Sequence, residues 1–368
     1  MGAARKWEIL FVDDDQRILD GLASSLWRLR RSWDMTFACG GEAAIALLDT
    51  RRFDAIVTDM RMPLVDGEAV LASFAERSPC TVRVILSGQT EGDVLCRTTT
   101  IAHQFLAKPC PVAELRQCLD DMLVVATSME ERARALVVSI GKLPISARTV
   151  ARLDALLESG ADRAELVRCI ETDVGLTAKL LHIASAGFVS QRNQAGDVDG
   201  ALASIGTQHL RAYLATMDSR EPTPDMQWLL EHAHATGRLL ERHAGDPRAF
   251  LCGVLHGLGK LVLGQAFGAR YHDMLAAAER DPLTHLSDLE AREFGISHDA
   301  IAAHLVKLWN LSPSIADVLH HHCHPRGSDE DLTIALHVAC VMSDGRTCLD
   351  HDLMDADPRL ARWHDRLR

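Results

Sequence analysis

The chain has 368 residues, 47% of them hydrophobic and 24% charged, with a formal net charge of -12. This is an ordinary globular composition with room for two or three domains, and its acidity argues against broad electrostatic binding to DNA or to anionic membranes. Ten cysteines are scattered without a Cys-x-x-Cys pair, which argues against a disulfide framework and for a reduced, cytoplasmic chain. No leader is expected, because the first residues run straight into a strand, and no apolar run is read as long enough to cross a bilayer.

Taken in chain order, residues 7–125 alternate short β-rich runs with amphipathic stretches such as 16–30 and 41–49. Such alternation predicts βαβ units and a parallel, doubly wound sheet. Four of the runs end in residues suited to phosphoryl chemistry: Ile9–Val12 before Asp13 and Asp14, Ala55–Thr58 before Asp59, Val82–Leu86 before Ser87, and Phe105–Ala107 before Lys108. The carboxyl ends of parallel strands open onto one crevice, so these residues are expected to share a site. Three carboxylates there suit Mg²⁺, a hard cation that prefers oxygen and keeps several waters. Asp14, Asp59 and the Arg61 backbone carbonyl are the expected ligands, with Asp13 acting through water. Asp59 is then the activated nucleophile, with Lys108 as a fixed positive charge and Ser87 as a donor to the phosphoryl oxygen. A lone Asp after a strand is usually only a cap or turn residue; the ordered set of them is what points to chemistry.

The stretches ILFVDDD, DAIVTDMRMPLVDG, VRVILSG and FLAKP resemble the receiver domain of two-component response regulators. The resemblance implies a flavodoxin-like fold and phosphorylation of Asp59 by a sensor histidine kinase. It also implies a switch in which Ser87 moves inward and the ring of Phe105 turns with it.

From Pro111 to Gly141 small or apolar residues recur at Leu115, Leu119, Met122, Ala126, Met129, Ala133, Leu136 and Ile140. Alternating spacings of four and three make a heptad seam. Two readings stay open: one long helix that pairs with a second copy into a homodimer, or a helix whose first half packs on the receiver sheet and whose second half packs on the next domain.

Beyond about residue 135 the pattern is nearly all helical, with amphipathic stretches at 147–158, 162–171, 174–186, 200–217, 226–244, 248–266, 298–309 and 313–322. Most of the 18 histidines lie beyond residue 230, including His256 and Lys260 on one helix face in LHGLGK and the run HHHCHP at 320–325. The stretches KLPISARTVARLDALL, IETDVGLTAKLLHIASAGF, DVDGALASIG, FLCGVLHGLGKLVL and FGISHDAIAAHLVKLWNLSPSIADVLHHHCHP resemble the HD-related output domain (HDOD), an all-α relative of HD metal-dependent phosphohydrolases. By that resemblance the two metal-binding histidines fall on His232 and His256, and the two expected carboxylates on Gly257 and Cys340. Without those carboxylates a hydrolytic site loses bridging oxygens and charge neutralisation. The output domain is therefore read as non-enzymatic and without metal. His232, His256, Lys260, His298, His321 and His322 form a vestigial cluster, although imidazoles remain capable of holding a zinc-type ion.

The expected organisation is a receiver over 1–125, a helical connector over 126–140, an HDOD domain over 141–345 and a tail over 346–368. The leading functional expectation is a phosphorelay switch: a kinase phosphorylates Asp59, and a non-catalytic output domain is re-presented to a protein partner. By analogy with the family, that partner belongs to cyclic-dinucleotide or motility signalling. The alternatives are a phosphorylation-gated HD-type phosphohydrolase or phosphodiesterase, and a DNA-binding regulator using the Arg-bearing segment 345–368.

Overall fold

A computed structural model describes residues 5–88, 98, 101–127, 129, 131–138, 143–185, 196–217, 219–280, 285–325, 328–343 and 357–368. The chain divides into two units, one formed mainly by residues up to 141 and the other by most of the remainder.

The first unit carries a five-stranded, all-parallel sheet of order β2-β1-β3-β4-β5, built from β1 (Trp7–Asp13), β2 (Trp33–Cys39), β3 (Ala55–Thr58), β4 (Val82–Ser87) and β5 (Gln104–Ala107). This is the flavodoxin-like order expected from the sequence. The central strands read as continuous apolar runs because both faces are covered: Ile9, Leu10 and Phe11 of β1 and Ala55 and Ile56 of β3 are fully buried. The helices are α1 (Gln16–Ser25), α2 (Gly41–Leu47) and α3 (Gly67–Arg77). Asp15 and Asp66 cap α1 and α3 by accepting from the N–H groups of Arg17 and Ala69. β1 pairs with β2 on one side and β3 on the other, so the strand order reverses beside it. Ligand crevices form at such reversals.

The connector is two helices, α4 (Val112–Thr127) and α5 (Glu131–Val138), not one long helix. The seam faces inward: Leu115, Leu119, Met122, Ala126, Met129 and Ala133 are buried within the chain. Trp33 Nε1 donates to Asp120 Oδ1 of α4 at 3.1 Å, and Arg83 Nη2 donates to the Val138 carbonyl at the end of α5 at 2.8 Å. Both halves are thus tied to the receiver unit. Ile140 lies outside the described residues.

The second unit is helical: α6 (Ala147–Ser159), α7 (Arg163–Ile170), α8 (Val174–Ser185), α9 (Val198–Ile205), α10 (Thr207–Thr216), α11 (Pro224–His243), α12 (Ala249–Leu255), α13 (Leu258–Phe267), α14 (Ala269–Arg280), α15 (Leu286–Phe294), α16 (His298–Leu308), α17 (Pro313–His321), α18 (Asp331–Ser343) and α19 (Pro358–Leu367). A two-residue parallel pair, β6 (Ile145–Ser146) with β7 (Ser219–Arg220), accompanies them. The expected helix over 200–217 is split at Gly206, whose φ of 80° lies in the left-handed region, and that over 248–266 turns at His256 and Gly257. Buried Asp173 joins two elements, accepting from the N–H groups of Leu176 in α8 and Ser146 in β6.

The stretch Ala249–Phe267 is long and apolar enough by composition to cross a membrane, contrary to the sequence reading, and 78% of its apolar window is buried inside the protein. The C-terminal residues read as a tail end in α19, whose Leu360, Trp363 and Leu367 are buried. Its Arg359 donates to the Ser328 carbonyl, and its Arg362 pairs with Asp331.

Candidate functional sites

The carboxyl ends of β1, β3 and β5 bring Asp13, Asp59 and Lys108 together. Lys108 Nζ donates to Asp13 Oδ2 at 2.7 Å and to Asp59 Oδ1 at 2.6 Å. The remaining oxygens are also engaged: Asp13 Oδ1 accepts from Asp15 N, and Asp59 Oδ2 from Arg61 N, each at 2.9 Å. Asp13 is buried and Asp14 is exposed. The Asp59 side chain retains 12% exposure. Burial pulls the Lys108 pKa down, but the hydrogen bonds and charges of Asp13 and Asp59 outweigh it, and the ammonium is held above its ordinary value. Three carboxylates against one ammonium leave a double negative charge, the complement of a divalent cation.

The loop after Asp59 is shaped by close packing. A Cβ on Gly67 would fall 2.2 Å from the Asp59 carbonyl oxygen, so only glycine lets α3 begin against that backbone. Phe105 is buried within the unit. Ser87 ends β4 at the same sheet edge, but its side chain lies outside the described ones.

In the helical unit the glycines of LHGLGK serve a similar end. A Cβ on Gly253 would lie 2.4 Å from Gly237 Cα, so α11 and α12 cross closely and bring His232 beside His256. Their Nε2 atoms are 3.1 Å apart. Cys340 Sγ of α18 lies 3.5 Å from His232 Nε2 and 3.7 Å from His256 Nε2. A second group follows, in which Cys323 Sγ is 3.3 Å from His298 Nε2 and 3.5 Å from His322 Nε2. The rings of His256 and His322 are 5.7 Å apart between centroids and link the two groups.

Burial, helped by the neighbouring His232 and Lys260, holds His256 well below the ordinary imidazole pKa. Burial, with His298 beside it, holds His322 down at about 3. Lys260 is buried next to the histidines and also lines a pocket of about 530 Å³ with Trp228, Leu229, Tyr271 and His272. Trp228 stacks on His232, with ring centroids 5.2 Å apart.

Comparison with known proteins places these two sites in families. Residues 9–120 match the response regulator receiver domain, and residues 143–325 match the HDOD domain. The chain is a response regulator with an HDOD output domain. This response regulator is 27% identical over 184 residues to an uncharacterized protein of Treponema pallidum, covering 45% of this chain and 35% of that one. It is 28% identical over 149 residues to the transcriptional regulatory protein GlrR of Escherichia coli, covering 40% and 33%. The chain thus spans about a third of the length of these curated relatives. Among solved structures, it is similar to the MmoQ response regulator of Methylococcus capsulatus, with 24% identity, a TM-score of 0.47, and coverage of 61% of this chain and 98% of that one. It is also similar to the signal receiver domain of an HD domain-containing protein from Pseudomonas fluorescens, with 28% identity, a TM-score of 0.32, and coverage of 34% and 99%.

Of the residues singled out in the output domain of this response regulator, His232, His256, Lys260, His298 and His322 converge in its interior. His321 does not. It is exposed, and its Nδ1 bonds the Asp317 carbonyl one turn back. Cys323 was missed as a member of the cluster, as were Glu290 and Asp299 beside it. The dipeptides His298-Asp299 and His322-Cys323 carried the available signal: in each, a polar neighbour follows a buried histidine.

Proposed function

We propose that Asp59 takes a phosphoryl group from a partner sensor histidine kinase and passes the signal to an output domain that binds a protein partner without catalysis. The observation that carries this reading is the Lys108 ammonium donating to both Asp13 and Asp59 at the strand reversal. An ammonium held there neutralises charge as a phosphoryl group arrives and is already aimed at the oxygen that receives it.

The oxygen-rich, doubly negative site fits Mg²⁺. Asp14, Asp59 and the Arg61 carbonyl would hold the ion, and Asp13 would act through water. When bound, the ion supplies charge neutralisation between the carboxylate and the phosphodonor. Asp59 attacks phosphorus, the bond to the donor breaks, and Ser87 hydrogen-bonds the transferred group. Ser87 and Phe105 then shift the balance between two receiver states. Coupling of about 1–3 kcal/mol is typical of such switches.

A hydrolytic output is not favoured by the packing around Gly257. A Cβ there would meet Ala233 Cβ at 3.2 Å and Leu229 Cδ1 at 3.4 Å, apolar atoms where an HD enzyme keeps a carboxylate. We place the protein in the cytoplasm, with a downstream partner in cyclic-dinucleotide signalling, on family analogy. The domain limits of 1–125, 126–140, 141–345 and 346–368 belong to the same proposal.

The test is incubation of the whole protein with Mg²⁺ and acetyl phosphate, read by intact mass. One phosphoryl adduct is expected in the wild type and none in Asp59→Asn. An adduct that persists in Asp59→Asn overturns the assignment. Affinity capture with wild type and Asp59→Ala, with and without a phosphoryl mimic, tests the output. A partner set independent of Asp59 overturns the switch, and turnover of a cyclic dinucleotide overturns the non-catalytic reading.

A further inference from the structure

We propose that the output domain binds two zinc-class divalent cations, one held by His232, His256 and Cys340 and one by His298, His322 and Cys323. At one of the two positions where HD relatives keep a carboxylate, Cys340 offers sulfur as a ligand instead.

The first triad has the dimensions of a metal site. Tetrahedral zinc with Zn–N of about 2.0–2.1 Å and Zn–S of about 2.3 Å requires N···N near 3.3 Å and N···S near 3.6 Å. The three edges here are 3.1 Å between the nitrogens and 3.5 and 3.7 Å to the sulfur. They form one face of that tetrahedron, with the fourth position left to water. In the second triad the sulfur lies 3.3 and 3.5 Å from the two nitrogens, and all three ligand atoms fall within 4.8 Å of one another.

The ring tautomers suit ligation. A backbone carbonyl can only accept, so His256 Nδ1 donates to Gly253 and His322 Nδ1 donates to Leu319. Each therefore carries its proton on Nδ1 and presents an Nε2 lone pair to its triad. His298 Nδ1 bonds Glu290 Oε2 at 2.6 Å. Glu290 is fully buried and also accepts from Tyr271 Oη and His298 N. Metal-binding histidines are oriented by such outer partners, either carboxylate or carbonyl.

Charge points the same way. Asp299 is buried, and its Oδ1 has no hydrogen-bond partner among the described residues. Two thiolates with Glu290 and Asp299 provide four negative charges, offset in part by the buried Lys260 ammonium, so the cluster stays anionic toward an incoming cation. Imidazole and thiolate ligands without a carboxylate among them select zinc-class ions over Mg²⁺. As each sulfur–metal bond forms, the S–H bond breaks and its proton passes to solvent, one per site. The ions would brace α11, α12, α16, α17 and α18, and their binding energy would add to folding stability. This inference stands apart from phosphorylation at Asp59, and its failure would leave that reading intact.

The test uses the full chain, stripped with a chelator and titrated with Co²⁺. A thiolate-to-cobalt charge-transfer band with tetrahedral d–d absorption should appear, saturate at two equivalents and be displaced by Zn²⁺. Cys340→Ser and Cys323→Ser should each retain one equivalent, and the control His321→Ala should retain both. Zn²⁺ should slow alkylation of Cys340 and Cys323 in the wild type at least tenfold by mass spectrometry. That labelling decides the matter should either serine variant fail to fold. Fewer than two equivalents, absence of the thiolate band, or unprotected thiols overturns the proposal.

Discussion

Lys108 Nζ lies 2.6 Å from Asp59 Oδ1 while bonding Asp13 on its other side. The ammonium thus occupies the charge-neutralising position between two carboxylates that also attract a divalent cation, and the two cations compete electrostatically.

Replacing Lys108 with Met removes that competitor. Mg²⁺ binding, followed by calorimetric titration, should tighten about tenfold, because a unit charge several ångströms away is worth about 1 kcal/mol or more in a partly exposed site. Phosphorylation by acetyl phosphate should slow at least tenfold, since a fixed positive charge aimed at the transferred group is lost.

Arg83 is buried among main-chain acceptors. Its guanidinium reaches the carbonyls of Thr81, Ile101 and Val138, and burial lowers its pKa to about 10. Arg83→Met should leave the Thr81 and Ile101 carbonyls without this donor, while Val138 keeps His103 Nε2, and cost about 2–4 kcal/mol. Amide exchange by mass spectrometry should show faster exchange over 131–138, because α5 loses its tether to β4.

Asp173 provides a pH signature for the output domain. Burial, outweighing the N–H groups of Leu176 and Ser146, raises its pKa from 3.8 to about 6. The folded state therefore binds this proton more tightly than the unfolded state. The associated stability is fully present below about pH 4 and is lost as pH rises through 6. Relative to Asp173→Asn, the wild type should lose on the order of 3 kcal/mol between pH 4 and 7. Urea denaturation at several pH values checks this.

Leu64, in the loop after Asp59, is 90% exposed and has a φ of 67°. A left-handed conformation costs a branched side chain about 1–2 kcal/mol. Leu64→Gly should relieve that strain and stabilise the protein by up to about 1 kcal/mol, offset by the entropy of glycine. Denaturant unfolding measures the difference.

The receiver site was legible because each residue follows a short apolar run, and parallel strands deliver their carboxyl ends to one edge. Asp13, Asp59 and Lys108 are 46 and 49 residues apart in sequence and still meet, since the sheet order does the work. The connector was less legible. A heptad seam describes spacing but not the surface it faces, and here the seam is buried on its own chain.

The sequence by itself determined the parallel-sheet chemistry, the helical character of the second half and the enrichment in histidine, all of which follow from local pattern and composition. Only the tertiary structure decided which histidines share a site. His321 and His322 are adjacent, yet one faces solvent and the other the interior, because neighbouring positions at a helix end point about 100° apart. The meeting of His256 with His232 across 24 residues depends on a close helix crossing at Gly237 and Gly253, a contact that no local periodicity encodes.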